Sequence, residues 1–210
     1  MKKEKIPLIF KLFWIFVIGS LLGCVLETIV AFVQKGSFQI RQGLLYGPFI
    51  PVYGVGLVVY YLIISRIKQT SCVFISSMIL GGVVEYLFSY FQETIFGTIS
   101  WDYSWVPLNL NGRTSILHCL YWGVAGILFV KWLLPWMNTI ISRMCQRKMQ
   151  YFTICVTVLM VINIGISTLA GIRQKERLQH KMPENTIEVL LDKYYPDHIM
   201  NLVFSNKITK

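Results

Sequence analysis

Charge is what this sequence has least of, and negative charge is the scarcer kind. Its 210 residues include 10 Asp and Glu against 20 Lys and Arg, and charged residues make up 14% of the chain while apolar ones make up 55%. About a quarter of a soluble domain is charged, so this balance excludes an ordinary soluble globule. Common enzyme signatures are missing too. There is no GxxxxGK[ST], hence no ATP-binding P-loop in this chain, and neither HExxH nor GxSxG occurs. The five cysteines (Cys24, Cys72, Cys119, Cys145, Cys155) are scattered and show no CxxC spacing. That argues against a disulfide framework or a metal centre. Neither metal nor cofactor is expected.

What is present is long apolar sequence. Five runs, at about 7–33, 50–66, 72–95, 116–137 and 151–172, approach or exceed the roughly 18–20 residues that cross a hydrocarbon core about 30 Å thick. The first is too long for a signal-peptide core and no small-residue cleavage site follows it, so it is retained as a helix. The sequence predicts an all-α integral membrane protein, a bundle of about five transmembrane helices.

Basic residues flank these runs: Lys2, Lys3, Lys5 and Lys11; Arg66 and Lys68; Arg143, Arg147 and Lys148. With a cytoplasmic N-terminus, nine lie inside against Lys35, Arg41 and Arg113 outside. Such charge suits anionic headgroups, so the expected partner is the bilayer and nucleic acid is not expected. The fifth run resists the pattern, because Arg173, Lys175, Arg177 and Lys181 follow it and bring the outer count to seven. Beyond Pro183, helical spacing of Ile187, Leu190, Leu191 and Tyr194 and a capping box from Asn185 to Glu188 predict a short amphipathic helix. It lies on the membrane surface, docks on the bundle, or binds a partner.

The first four runs carry a recurring order of features. "GCVLE" places Gly23 four residues before Glu27, and Gly81 stands four before Glu85. After each Glu comes an irregular loop with one Arg, first Arg41 with Gly47, Pro48 and Pro51, then Trp101, Tyr103, Pro107, Asn109 and Gly112 with Arg113. Each loop enters a helix through an aromatic-Gly pair, Tyr53-Gly54 and Trp122-Gly123. Read as a 2+2 parallel pseudo-repeat with partly re-entrant outer loops, this order brings the two glutamates face to face.

An unpaired charge at mid-membrane costs about 2.5–3.5 kcal/mol on insertion scales, so both glutamates need a partner, a proton or water. Arg41 and Arg113 are placed to supply one partner each, with Asp102 as a third acceptor. Two readings stay open: ion pairs that hold the loops against the bundle, or a polar cavity that binds or passes a substrate or ion. "WDYSWVPLNLNGR" (101–113) is then an interfacial cap with Arg113 as its inward anchor, or an exposed aromatic-belt loop. His118 stands alone and is read as an interfacial residue rather than a proton carrier. Gly19 and Gly23 form a GxxxG pair that suits close helix packing.

Taken together, Glu27, "GLLYGPFIPVYGVG" (43–56), Glu85-Tyr86, "WDYS" (101–104), Pro107, Asn109, Gly112-Arg113 and Trp122-Gly123 resemble a family of bacterial membrane proteins, the Putative ABC-transporter type IV family, over about residues 10–136. The resemblance implies a multi-pass protein of the bacterial inner membrane, named as a permease component, and no catalytic residue. It covers a four-helix core (1–137); the basic loop with the fifth helix (138–172) and the basic, amphipathic tail (173–210) lie outside it and are read from the sequence alone. Without a P-loop, a permease of this kind borrows a separate ATPase subunit, or works with another membrane protein and never touches ATP. The competing readings are a non-transporting scaffold or regulator with structural Glu/Arg pairs, and an enzyme using Glu27 and Glu85 as an acid/base pair.

Overall fold

The computed structural model describes residues 6–36 and 41–209, so Lys2, Lys3, Lys5 and the side chain of Lys35 lie outside the described residues. Helix dominates: α1 (Leu8–Lys35), α2 (Pro51–Ile63), α3 (Thr70–Phe96), α4 (Ile116–Leu128), α5 (Leu134–Met144), α6 (Gln150–Leu178), α7 (Thr186–Tyr194) and α8 (Asp197–Val203). Four stretches are long and apolar enough to cross a membrane, Leu8–Val33, Thr70–Phe96, Ile116–Met144 and Arg147–Leu178. The second apolar run yields a shorter helix. Its 13 residues rise only about 20 Å. Pro51, which has no N–H to leave unpaired, starts it, and the irregular stretch holding Gly47 and Pro48 takes up the preceding residues.

Both α1 and α3 stop at a left-handed glycine, Gly36 (φ 66°) and Gly97 (φ 65°), whose amides donate to Phe32 O and Glu93 O. A side chain there would be strained, so the chain leaves both helices at a defined place. The fourth long stretch passes from α4 through a π-helical segment, Phe129–Leu133, into α5. Pro135 follows at once and has no N–H to return to the preceding turn, which a wider turn accommodates.

Small residues bring the helices together, as expected where lipid is as apolar as the interface. A Cβ on Gly23 would collide with Tyr53 of α2, and one on Gly81 with Trp122 of α4. Gly54 likewise faces Ser20, and Gly126 faces Ser77. The order read along the sequence thus returns as two matching sets of contacts, α1 with α2 and α3 with α4. Tyr53 and Trp122 meet, with ring centroids 5.8 Å apart. The larger apolar core gathers Ile15, Tyr60, Ile64, Phe129, Met137 and Ile141, and the fully buried Tyr60 hydroxyl donates to Trp122 O at 2.9 Å and Ser77 O at 3.0 Å. Ile9, Ile79, Leu159 and Val161 face outward and are exposed, as side chains facing lipid would be.

The fifth run is one continuous helix of 29 residues. Its end sits beside the end of α3, where Lys175 Nζ donates to Thr94 O (2.7 Å) and Ile95 O (3.3 Å) and meets the negative pole of that helix. Strand β1 (Thr98–Ile99) pairs antiparallel with β4 (Ile208–Thr209), Thr98 opposite Thr209. Residues 173–209 therefore share an end of the bundle with loops 41–50 and 97–115. Arg173, Lys175 and Arg177 there are engaged rather than free. Arg173, 2% exposed, donates to Asp192 at 3.0 and 2.9 Å and to Glu176 at 3.1 Å; Arg177 reaches Asp192 at 2.6 Å and Asp197 at 2.7 Å. Asn185 caps α7 as expected, its Oδ1 accepting from Glu188 N (3.0 Å), while the Glu188 carboxylate accepts from the Asn185 side chain (2.6 Å) and from Glu184 N (2.6 Å) in place of the Asn185 N–H of a capping box. Of the apolar stripe only Leu191 is buried; Ile187, Leu190 and Tyr194 are exposed.

Candidate polar site at the loop end of the bundle

Glu27 stands near the loop end of α1. Tyr53, in the first turn of α2, donates its hydroxyl to Glu27 Oε1 at 2.6 Å, and Arg41 Nη1 lies 3.4 Å from Oε2. Arg41 is positioned through its backbone, since its carbonyl accepts from Cys24 Sγ at 2.9 Å. The pairing expected between Glu27 and Arg41 is present.

Glu85 is the more buried carboxylate, 7% exposed. The Thr114 hydroxyl donates to its Oε2 at 2.7 Å and the Tyr103 hydroxyl to its Oε1 at 3.1 Å. Arg113 does not take the place expected of it beside Glu85. It pairs instead with Glu93 at 2.6 Å and donates to Ser89 Oγ at 3.3 Å, between the rings of Tyr86 and Tyr90. The cause is the hairpin that carries it. Strands β2 (Asn109–Leu110) and β3 (Thr114–Ser115) pair around Asn111 and Gly112, both at positive φ, which turns Thr114 toward Glu85 and sends Arg113 along α3. A Cβ on Gly112 would strike Asp102 and Ser104.

The 101–113 stretch is therefore a folded cap. Trp101 Nε1 donates to Arg113 O at 2.8 Å, Tyr103 N to Gly112 O at 2.8 Å, and Asn109 Oδ1 accepts from Gly112 N at 2.9 Å. Asp102 caps its own turn, accepting from Ser104 N at 2.9 Å and Ser104 Oγ at 2.6 Å. Tyr103 reaches inward, and its hydroxyl is pushed well up from its ordinary value, first by burial and then by the neighbouring charge of Glu85. His118 stacks on Tyr103 at 3.6 Å between ring centroids and bonds Ser115 Oγ through Nδ1 at 2.8 Å. Trp105 is 81% exposed. Among the described residues no His, Cys, Asp and Glu gather as a metal site.

Glu27, Arg41 and Tyr53 thus form one group, and Glu85, Tyr103 and Thr114 another. They are joined through the Tyr53–Trp122 contact and lie within electrostatic reach of each other. Sequence reasoning missed Thr114, Ser89 and Glu93. Glu85, Ser89 and Glu93 recur every fourth residue on one face of α3, and that spacing was available to read. Asn163 and Ser167 of α6 were also missed. Ser167 Oγ accepts from Leu45 N at 2.9 Å, and Asn163 bonds both backbone groups of Tyr46. Polar residues at i and i+4 inside an apolar run were the available signal.

A family model described as Putative ABC-transporter type IV matches residues 14–168. The chain belongs to that family. The match takes in every candidate residue, from Glu27 to Arg113, and runs on past the 10–136 resemblance to include Asn163 and Ser167 of α6. No curated protein and no solved structure matches the chain. Membership and the apolar helices together make this a membrane protein of a transporter-type family.

Proposed function

We propose that this protein is a permease-like subunit of the bacterial inner membrane, N-terminus cytoplasmic, with a polar site built on Glu27 and Glu85. One observation carries the reading: a carboxylate as buried as Glu85 is held by neutral donors alone, the Tyr103 and Thr114 hydroxyls and the Trp122 indole, with no cation of its own among the described residues. A buried carboxylate so placed is expensive to keep ionised, and a cationic group or a proton offsets that cost. The substrate class this favours is a small cationic or zwitterionic solute, entering under the 101–113 cap. Any ATP hydrolysis comes from a separate subunit.

The test is ligand-dependent thermal stabilisation of the detergent-purified protein against a panel of inorganic cations, polyamines and amino acids. Wild type gains stability with one class, and Glu85→Gln and Glu27→Gln lose the gain while remaining folded. Gln variants that fail to accumulate, with no solute stabilising the wild type, defeat the proposal.

A second reading, a scaffold whose ion pairs are struts, draws on Arg41–Glu27 and Arg113–Glu93, each of which ties a loop to a helix. The exposed Ile187 and Leu190 of α7 then serve partner binding. Replacing both by Ser separates the readings better than removing the tail, because removal strands Arg173 without Asp192. Partner loss on co-purification supports the scaffold.

A further inference from the structure

Between the entry to α2, α3 and α6 lies a cavity of about 340 Å³, a volume typical of small-ligand sites. None of Glu27, Arg41, Glu85, Asp102 or Arg113 lines it. One side is aromatic and aliphatic, from Phe88, Phe91 and Ile95 of α3 to Ile164 of α6. Phe91, Ile95 and Ile164 are 53%, 40% and 38% exposed, so they belong to the outer apolar surface as well as to the cavity. The cavity is thus continuous with the side of the bundle that faces hydrocarbon.

Its other side is polar and contains one cation, Lys207, carried on the segment between α8 and β4. Lys207 Nζ donates to Gln174 Oε1 at 2.5 Å and lies 5.9 Å from the Phe204 ring centroid; Asp197 is near enough to act on its charge, but among the described residues no carboxylate stands within ion-pairing distance of it. An ammonium has three protons to donate, and this one has a single neutral acceptor. Burial lowers its pKa and the more distant Asp197 only partly opposes this, so the charged form is penalised as it stands and an incoming anion offsets that penalty. An apolar slot open to lipid, with an underused cation at its polar end, has the two-part chemistry of an amphiphile.

We propose that this cavity binds an anionic amphiphile, with one acyl chain along Phe88, Phe91 and Ile164 and its carboxylate or phosphate head at Lys207. A free fatty acid and an acidic phospholipid share that chemistry.

Trp101 lines the cavity and reports on it. The protein in non-ionic detergent is titrated with bromostearate and with its methyl ester while Trp fluorescence is followed, and the Trp101→Phe variant identifies the share due to Trp101. Wild type is expected to show saturable quenching by the acid at concentrations at least tenfold lower than by the ester. Lys207→Gln abolishes that preference, and Thr168→Phe, which fills the slot, abolishes saturation. Brominated phosphatidylglycerol against brominated phosphatidylcholine separates the sources: quenching by stearate alone assigns the free acid, and quenching by phosphatidylglycerol as well assigns a lipid. Equal binding of acid and ester by wild type overturns the proposal, and that comparison stands even where a variant does not fold. So does a preference that survives Lys207→Gln, or quenching that ignores Trp101.

Discussion

Asn163, in the middle of an apolar helix, holds Tyr46 by both of its backbone groups: Oδ1 accepts from Tyr46 N at 3.1 Å and Nδ2 donates to Tyr46 O at 2.6 Å. The side chain acts as a strand of sheet would. Replacing it by Leu leaves an amide and a carbonyl without partners, at about 1–3 kcal/mol for each group that stays dry. Asn163→Leu is expected to lower the unfolding temperature by several degrees and to open the 41–50 loop to protease; a variant as stable and resistant as wild type contradicts this.

The donors around Glu85 separate shape from charge. Glu85→Gln keeps an acceptor for one hydroxyl and should cost little, while Glu85→Leu strands both Tyr103 and Thr114 and should cost about 2–4 kcal/mol. Chemical denaturation in detergent reads the difference. Equal losses for Gln and Leu would mean the hydroxyls carry none of it.

Arg113 pairs with Glu93 and not with Glu85, and charge swaps test which. Arg113→Glu with Glu93→Arg should recover most of what each single change loses, whereas Arg113→Glu with Glu85→Arg should be worse than either. Thermal unfolding of the six proteins decides it. Rescue by the Glu85 swap would refute the observed pairing.

Glycines predict opposite outcomes at two helical positions. A methyl at Gly81 meets Trp122, so Gly81→Ala must push α3 from α4 and destabilise by about 1–3 kcal/mol. Gly165 of α6 has open space around it, so Gly165→Ala should be neutral or stabilise by up to about 1 kcal/mol. Melting curves of the two single variants suffice, and a stable Gly81→Ala would show the interface to be looser than described.

Acid should release the tail. The Asp192 carboxyl is held below its ordinary value, first by hydrogen bonds from Arg173 and also by those from Arg177, against an opposing effect of burial. A depressed carboxylate contributes stability above its unfolded value of about 3.9 and loses it as pH falls through the lower folded value. Amide exchange in α7 and α8 should therefore speed up below about pH 4 while α3 stays protected, and Asp192→Asn should show the faster exchange already at neutral pH. Identical profiles for variant and wild type would rule Asp192 out as the clasp.

Apolar length announced the membrane helices, because it is local and repetitive; that Gly23 and Gly81 mark the contacts of α1 with α2 and of α3 with α4 came only from the structure. The shortness of α2 was less visible: the apolar run continues to residue 66, but Pro51 starts the helix and the chain turns after Ile63. Arg113 was misplaced because its direction depends on a hairpin fixed by Asn111 and Gly112, and composition alone does not give a direction. Counting Lys and Arg made the end of α6 look anomalous, since a count cannot register that Arg173 meets Asp192 and Arg177 meets Asp192 and Asp197, acids 15 to 20 residues further along.

The grip of α6 on the 41–50 loop also bears on how the protein is made. Tyr46 and Asn163 lie 117 residues apart in sequence, so when α1 to α4 have already left the ribosome, the amide of Leu45 and both backbone groups of Tyr46 still have no partner. Water must satisfy them until synthesis reaches residues 163–167. The entry to α2 and the seat of Arg41 are therefore completed late, and a chain arrested before α6 would carry its glutamates in place beneath an unfinished roof.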